Sequence, residues 1–270
     1  MQLKYKFTNS KQIFRILISG NDNLLIETRD VQNKIASFHC LDVATGKPIF
    51  RDLELEEKYW VGVDAFYNNI ILFHKFEQPT LPKHKGIFAY DITSKNFIWQ
   101  NENDSFLFLL ENKIYCFKQR FEGREFYTLD IQTGSVLDEL GTDFERINEL
   151  RNQSIEQEDF SNYFYPENYL QIDLESQAEE VIKTIMQKNS IFGDLEILQM
   201  ENNLFINYHH KFQGDRLNNT FTAFDLSKMK FVYTDIINTN LNAFAPDSFF
   251  VYKSTLLLLK EKTELMAFEI

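Results

Sequence analysis

The 270-residue chain has little cysteine, glycine, proline and tryptophan, and it has no long apolar run. Its two cysteines, Cys40 and Cys116, lie in separate hydrophobic segments, so they form neither a disulfide framework nor a CxxC pair for zinc. We expect both to be buried as small hydrophobic side chains. The nine glycines include no phosphate-binding loop, and the GxSxG and HExxH motifs do not occur. The sequence therefore contains no motif for a catalytic nucleophile, a zinc peptidase or a phosphate-binding loop.

Positive charge is also scarce, because 28 Lys and Arg stand against 40 Asp and Glu, a net charge of −12. This balance argues against whole-surface binding to DNA or RNA, whose phosphates attract cations. Apolar runs such as 256–259 are far shorter than a membrane span. The run 13–18 is too short for a signal peptide and contains Arg15. We expect a cytoplasmic protein with no membrane insertion and no nucleic-acid partner.

One pattern recurs along the chain: an apolar strand, an acidic residue, a polar turn and a second apolar strand. A repeated acid of this kind is typical of architecture, because its carboxylate can accept N–H bonds from the turn that follows. We therefore predict a structural turn role for the four aspartates rather than catalysis. Glu269 ends a fifth copy. The four aspartates are Asp42, Asp91, Asp130 and Asp225.

Two more strand-like runs precede each of these four hairpins, so every unit contains four antiparallel strands. Four strands in each unit of about 40–50 residues indicate a β-propeller. The strands are almost continuously apolar, which indicates sheets covered on both faces. The 27 phenylalanines suit the space between stacked sheets. The predicted pairs are 13–18 with 24–28, 60–66 with 70–76, 106–110 with 113–117, and 195–200 with 204–208.

The two ends of the chain complement each other. The last unit has strands at about 249–253, 255–260 and 264–270 but lacks a fourth, whereas the residues 3–7 form a lone strand. The N-terminal strand is therefore expected to complete the last sheet and close the ring, which removes exposed sheet edges. We predict a single all-β propeller domain over residues 1–270.

The number of blades depends on the segment 142–190. The interval between Asp130 and Asp225 is about twice the others, so this segment holds either a degenerate sixth blade or an insert. Asp173 falls where a further acid is expected, and 169–174 offers a strand. Thr142 and Ser176 begin sequences typical of capping boxes, which favours helices. We predict five recognisable blades plus an irregular, partly helical segment in the sixth register.

The hairpins with Asp-x-x-Thr-Gly, together with aromatic residues such as Trp99, resemble the repeats of quinoprotein-like and WD-type propellers. The whole chain also resembles small uncharacterised bacterial propeller-like families. These resemblances imply the architecture and no particular activity, because propellers host unrelated functions. A pyrroloquinoline quinone dehydrogenase is not expected, since its longer ring, calcium site and adjacent cysteines have no counterpart here. We expect no cofactor.

Basic residues concentrate in the loops that join second and third strands, whereas the connections between units are mostly acidic. We hypothesise an acidic centre within a basic ring, and Arg120, Arg124 and Arg216 are candidate binding residues. The alternative is that these loops are charged because they are solvated. The five histidines show no spacing that brings three ligands together, so no metal site is expected.

Aromatic residues crowd the irregular segment. Tyr163, Tyr165 and Tyr169 flank Pro166, and they are further candidates for a binding surface. The alternative is that they anchor the segment against the propeller, a role that suits amphipathic tyrosines.

Two functions remain after these exclusions. The first is a non-catalytic, soluble scaffold that binds a protein or a small-molecule ligand. The second is a hydrolase-type enzyme that acts on a polar, sugar-like substrate at the channel mouth. The hydrolase needs two acids, or an acid and a histidine, that converge with perturbed pKa values.

Overall fold

The computed structural model describes residues 1–78 and 81–270. More than half of these residues lie in strands and about a tenth in helices, so the fold is all-β. Two α-helices, α1 (Phe144–Glu156) and α2 (Ser176–Lys188), lie between strands 13 and 16. The described strands are β1 Gln2–Thr8, β2 Gln12–Ile18, β3 Asn23–Asp30, β4 Ile35–Asp42, β5 Pro48–Leu53, β6 Val61–Tyr67, β7 Ile70–Gln78, β8 Leu81–Asp91, β9 Asn96–Asn101, β10 Ser105–Leu110, β11 Lys113–Arg120, β12 Gly123–Asp130, β13 Val136–Gly141, β14 Tyr163–Phe164, β15 Glu167–Asn168, β16 Glu196–Met200, β17 Asn203–Lys211, β18 Leu217–Asp225, β19 Lys230–Leu241, β20 Phe249–Tyr252, β21 Thr255–Lys260 and β22 Glu264–Glu269.

These strands form five antiparallel sheets. Sheet 1 is β2-β3-β4-β5, sheet 2 is β6-β7-β8-β9, and sheet 3 is β10-β11-β12-β13. Sheet 4 is β15-β16-β17-β18-β19, and sheet 5 is β1-β22-β21-β20-β14. The predicted four-strand units are confirmed, with strand ends that differ from the prediction by a few residues. The two-residue strands β14 and β15 each extend one edge.

The chain divides into two compact units, which are described separately. The first unit, Lys11–Asp159, contains sheets 1, 2 and 3 and helix α1. The second unit combines Met1–Ser10 with Phe160–Ile270, and it contains sheets 4 and 5 and helix α2. No helix in the described ranges is long and apolar enough to cross a membrane.

Consecutive sheets of the first unit pack face to face. Ile71 and Phe73 of β7 pack in a core shared with sheet 1, where the ring of Phe73 lies 4.7 Å from that of Phe38. Ile70 and Leu72 of the same strand pack in a second core shared with sheet 3. Neighbouring residues of one strand therefore serve opposite cores, which explains why residues 70–73 are all apolar.

Helix α1 covers sheet 3 within the first unit. Its N-cap is Asp143, whose carboxylate accepts the N–H of Arg146 at 3.0 Å, and not the predicted Thr142. Ile147 packs in one cluster with Phe108 and Phe117 of the sheet. The helix thus buries apolar side chains that a further sheet would otherwise cover.

Helix α2 covers sheet 4 within the second unit. Val181, Ile182 and Ile185 pack with β16 and β17, whereas Met186 of the same helix is 44% exposed. Ser176 is the first helical residue, and the preceding Glu175 makes no side-chain cap, so the predicted capping box is wrong. The burial of the apolar stripe stabilises this helix in place of a cap.

The N-terminal strand lies against the last strand of the chain. β1 pairs antiparallel with β22, from Gln2 opposite Glu269 to Thr8 opposite Glu264, so the predicted completion of the last sheet is confirmed. The predicted strand at 169–174 is wrong, because Tyr169–Gln171 forms a 3₁₀ turn that Asn168 caps through the N–H of Leu170.

Each of the four turn aspartates caps its own hairpin. The carboxylates accept backbone N–H bonds from Thr45, Ser94, Thr133 and Lys228, at 2.8, 3.0, 2.8 and 3.0 Å respectively. Every turn then needs one left-handed residue. It is Gly46 or Gly134 in two hairpins, but Lys95 and Met229 adopt the same conformation in the others.

Trp99 of sheet 2 contacts the hairpin turn of sheet 3. Its indole Nε1 donates to the carbonyl of Ile131 at 2.9 Å. The ring also lies directly against Gly134, where an added Cβ would be 2.6 Å from Trp99 Cδ2. Gly134 is thus required twice, for its backbone conformation and for the space that the indole fills.

Candidate functional site

One face of sheet 2 gathers three side chains that can carry chemistry. Asp64 lies on β6, His74 on β7 and His84 on β8, so three hydrogen-bonded neighbours each contribute one residue. The register shifts between Val63 and Ala65, which makes Asp64 the extra residue of a β-bulge. Bulges re-aim side chains, and this one turns the carboxylate toward both imidazoles. We call these three residues the Asp–His–His cluster.

The cluster is tight and mostly buried. Asp64 Oδ1 lies 2.8 Å from His74 Nδ1 and 2.8 Å from His84 Nδ1. The side chains of Asp64 and His74 are 3% and 1% exposed, whereas that of His84 is 43% exposed. The two rings stack at 3.5 Å between centroids, nearly parallel. The cluster therefore reaches solvent through His84.

Several polar atoms of the cluster have no hydrogen-bond partner among the described residues. Asp64 Oδ2 and both ring nitrogens of His74 are buried without one. His74 Nδ1 is close to Asp64 Oδ1 but is not aligned as a hydrogen-bond donor to it, whereas His84 is. Buried polar atoms left unpaired are costly, so they mark places where another group belongs.

The histidines set the charge state of Asp64. Burial alone would raise the pKa of its carboxyl, but the contacts with His74 and His84 outweigh burial and hold this pKa below its ordinary value. The carboxylate is thus ionised at neutral pH. A buried anion with two imidazoles is a donor set that suits proton transfer or metal binding.

A basic cleft of about 380 Å³ opens in the same unit, between sheets 2 and 3. Strands β7 and β8 contribute one wall, and β11 with the start of β10 contributes the other. The lining combines four cations and one acid with hydroxyl and amide groups. These residues are Glu77, Lys83, Lys85, Asn103, Ser105, Lys118, Gln119 and Arg120.

The cations of the cleft are only partly neutralised. Lys83 pairs with Glu77 at 3.1 Å, and Arg120 pairs with Glu125 at 2.7 Å. Lys118 lies over the ring of Tyr127 at 4.9 Å. Neither Lys118 nor Lys85 forms an ion pair with any residue that the structure describes. The cleft therefore presents positive charge in a chain whose net charge is −12.

Ser105 lines the cleft, and the neighbouring Asp104 is a buried acid close to it in the sequence. The Ser105 hydroxyl donates to the carbonyl of His84 at 3.0 Å, which joins the cleft to the Asp–His–His cluster. Asp104 is fully buried, and burial raises the pKa of its carboxyl even though Lys118 and Arg120 oppose this effect.

The structure does not bring the three candidate arginines into one site. Arg120 lines the cleft, whereas Arg124 on the paired strand lies 4.5 Å over the ring of Phe117. Arg216 belongs to the second unit, where its guanidinium donates to Asn242.

The three candidate tyrosines do not form one group within the second unit. Tyr163 and Tyr165 stack on each other at 6.2 Å, and Tyr165 lies 5.8 Å from the ring of Phe250. Tyr165 is 55% exposed, so this aromatic group is open on one side. Tyr169 instead packs against the core beneath helix α2.

A separate acid in the second unit has a perturbed pKa. Burial raises the pKa of the Glu196 carboxyl, and the negative charge of Asp247 adds to this effect. Asn207 donates to Glu196 Oε2 at 2.6 Å.

No simple sequence signal marks the Asp–His–His cluster. Its members lie ten positions apart, a spacing typical of no metal motif. The register of β7 and β8 shifts between Phe73 and Lys75, so that Phe76 pairs with His84 and His84 comes near His74, and the bulge on β6 brings Asp64. Both contacts depend on register shifts, which no sequence pattern marks.

Residues 18–99 match the family described as a domain of unknown function, DUF4905. The match covers under a third of the chain, and it includes the Asp–His–His cluster. No curated protein matches the chain.

Solved structures give distant likenesses. A eukaryotic initiation factor has a TM-score of 0.36 at 9% identity, over 97% of this chain and 56% of that one. A DUF4221 member from Bacteroides vulgatus has a TM-score of 0.33 at 9% identity, over 98% and 96%. An exo-β-1,3-galactanase from Phanerochaete chrysosporium has 0.30 at 10%, over 100% and 64%. The chain spans little more than half of the first protein, and likenesses at these scores add nothing to the fold described above.

Proposed function

We propose that the protein is a single β-propeller domain that binds a small anionic molecule in the basic cleft. Five antiparallel sheets and the pairing of β1 with β22 support the propeller. Helices α1 and α2 each cover the face of a sheet, which supports an irregular segment in place of a sixth blade. The ligand is a molecule with a phosphate or carboxylate group, because the cleft offers cations beside hydroxyl and amide groups.

The observation that carries this function is a pair of lysines that form no ion pair with any described residue. Lys85 and Lys118 come from different sheets, and both line a concave site of about 380 Å³. Ligand pockets of small molecules begin at about this size. Ammonium groups recognise phosphate as point charges, and the side-chain amide of Asn103 can supply a directional donor. An anionic polymer is disfavoured as the ligand, because the net negative charge of the whole chain repels it.

The experiment is calorimetric titration of the full chain with pyrophosphate and with citrate at low salt. We expect binding of one of these probes, with an affinity that falls as salt rises. Lys85→Gln and Lys118→Gln each remove one charge-assisted contact, which is worth about 1.5–3 kcal/mol, so the dissociation constant should rise about 10- to 100-fold. Lys47→Gln, in a turn of sheet 1, is the matched control. Equal binding by all variants, or no binding of either probe, would contradict the proposal.

The hydrolase-type alternative has one observation in its favour. The raised pKa of Glu196 is the property that a general acid needs, and Asp247 offers a second carboxylate. In this alternative, Glu196→Gln would abolish hydrolysis of a chromogenic glycoside while Glu167→Gln would leave it unchanged. An absence of hydrolysis by the unmodified chain across glycosides removes this alternative.

The expected cytoplasmic location stays a prediction, which fractionation of source cells would test. The expected acidic centre within a basic ring also stays a prediction. Its test is a salt-dependent comparison of cationic and anionic probe binding.

A further inference from the structure

The unpaired atoms of the Asp–His–His cluster call for a further group. We propose that Asp64, His74 and His84 bind one divalent transition-metal ion, of which Zn²⁺ is the natural probe. This site is separate from the anion-binding function proposed above, since its ligands do not line the basic cleft.

The donor set selects the class of ion. Two imidazole nitrogens and one carboxylate oxygen suit zinc, iron, nickel and copper, whereas calcium and magnesium prefer oxygen alone. The three donor atoms lie within 4.8 Å of one another. Zn–N and Zn–O bonds of about 2.0–2.2 Å place ligand atoms about 3–4 Å apart. Only a small opening of the two 2.8 Å contacts is therefore needed.

Hydrogen bonding alone leaves this arrangement incomplete. His74 Nδ1 faces Asp64 Oδ1 without donor alignment, and Asp64 Oδ2 has no partner in the described ranges. Both side chains are more than nine-tenths buried. A cation between these atoms would give Nδ1 a bond and would balance the buried negative charge, which the misaligned contact does not.

The scaffold holds two ligands firmly and leaves the third adjustable. An added Cβ on Gly62 would lie 2.7 Å from His74 Nε2, so the backbone of β6 closes one side of the ring. The ring of Phe76 lies edge-on to both imidazoles, at 5.1 and 5.5 Å. His84 is the exposed member, so it can swing out of the ring stack to admit the ion. Three protein ligands leave a coordination position for water, as in catalytic rather than structural zinc sites.

The test is equilibrium dialysis of the chelator-treated full chain against Zn²⁺, with metal analysis, and titration with Co²⁺ followed by its visible absorption. We expect about one ion per chain and Co²⁺ bands typical of mixed nitrogen and oxygen ligands. His84→Ala and Asp64→Asn should weaken binding at least about 10-fold. His210→Ala, which removes a partly exposed histidine of β17, is the control.

Two results would overturn the proposal. One is retention of well under about one ion per chain at Zn²⁺ concentrations that saturate ordinary three-ligand sites. The other is equal loss of binding in His84→Ala and His210→Ala, which would indicate adventitious surface histidines. Circular dichroism confirms folding of His84→Ala, whose side chain is exposed. Titration of the same variant with pyrophosphate separates the two proposals, because anion binding should persist without the metal site.

Discussion

Gly134 offers the sharpest test of how neighbouring sheets are joined. Its φ of +68° is left-handed, and an added Cβ would lie 2.6 Å from the Trp99 ring. Gly141 has almost the same φ, +66°, but an added Cβ there would meet nothing within 4 Å. The two glycines therefore separate backbone strain from the loss of indole packing. We compare Gly134→Ala with Gly141→Ala.

The expected magnitudes differ by the contribution of Trp99. A non-glycine residue in the left-handed region costs about 1–2 kcal/mol, and the reduced freedom of the unfolded chain returns about 0.4–1 kcal/mol. Gly141→Ala should therefore lower the free energy of unfolding by about 1 kcal/mol. Gly134→Ala adds about 1–3 kcal/mol for overpacking and about 1 kcal/mol for the Trp99–Ile131 hydrogen bond, so its total is about 3–5 kcal/mol.

The assay is guanidinium unfolding followed by both far-ultraviolet circular dichroism and tryptophan fluorescence. The chain has only two tryptophans, so displacement of Trp99 should also shift the emission of the native protein. In a Trp99→Leu background the extra cost of Gly134→Ala should largely vanish, which a double-mutant cycle measures. Equal costs for the two alanine variants, with unchanged emission, would refute the packing of Trp99 on this turn.

Three further predictions concern buried groups and turns. Burial lowers the pKa of His39 to about 4, so the unfolded chain binds its proton first and stability should fall by up to about 3 kcal/mol as pH drops from 6.5 to 4; urea titrations against pH should show a smaller fall for His39→Gln than for the unmodified chain, and an equal fall would contradict the prediction. Glu27 is 1% exposed and contacts Arg29 at 2.6 Å, so Glu27→Gln should lower the free energy of chemical unfolding by about 3–5 kcal/mol. The double change with Arg29→Gln should lower it by less than the sum of the two single changes. Lys95 has a φ of +57° where two sister turns have glycine, so Lys95→Gly should raise the melting temperature, with a gain of about 0.5–1 kcal/mol, and a decrease would contradict the strain argument.

The strands were predictable because each unit repeats the same local code. The aspartate at 42, 91, 130 and 225 ends a third strand, and its turn chemistry fixes where the next strand begins. The continuous apolar runs predicted sheets that are buried on both faces. Strand ends were less predictable, because pairing in β7 and β8 extends into polar residues that carry no apolar signal.

The candidate sites were harder to predict because they depend on contacts across strands. Lys85 and Lys118 lie in strands β8 and β11, and their convergence depends on how sheets 2 and 3 pack. The Asp–His–His cluster depends on a bulge at Asp64, which shifts one side chain by one register position. The predicted helix caps were wrong for a different reason. Burial of an apolar stripe, and not a capping side chain, determines where α2 begins.

The pairing of β1 with β22 brings both chain ends to one place in the second unit. Gln2 and Glu269 are direct partners, so their Cα atoms are about 5 Å apart, within reach of a linker of a few residues. The pairing of the strands therefore does not depend on which strand comes first in the chain. A circular permutant that joins these ends and opens the hairpin between Glu122 and Gly123 should keep the same strand neighbours, with new termini at an exposed turn.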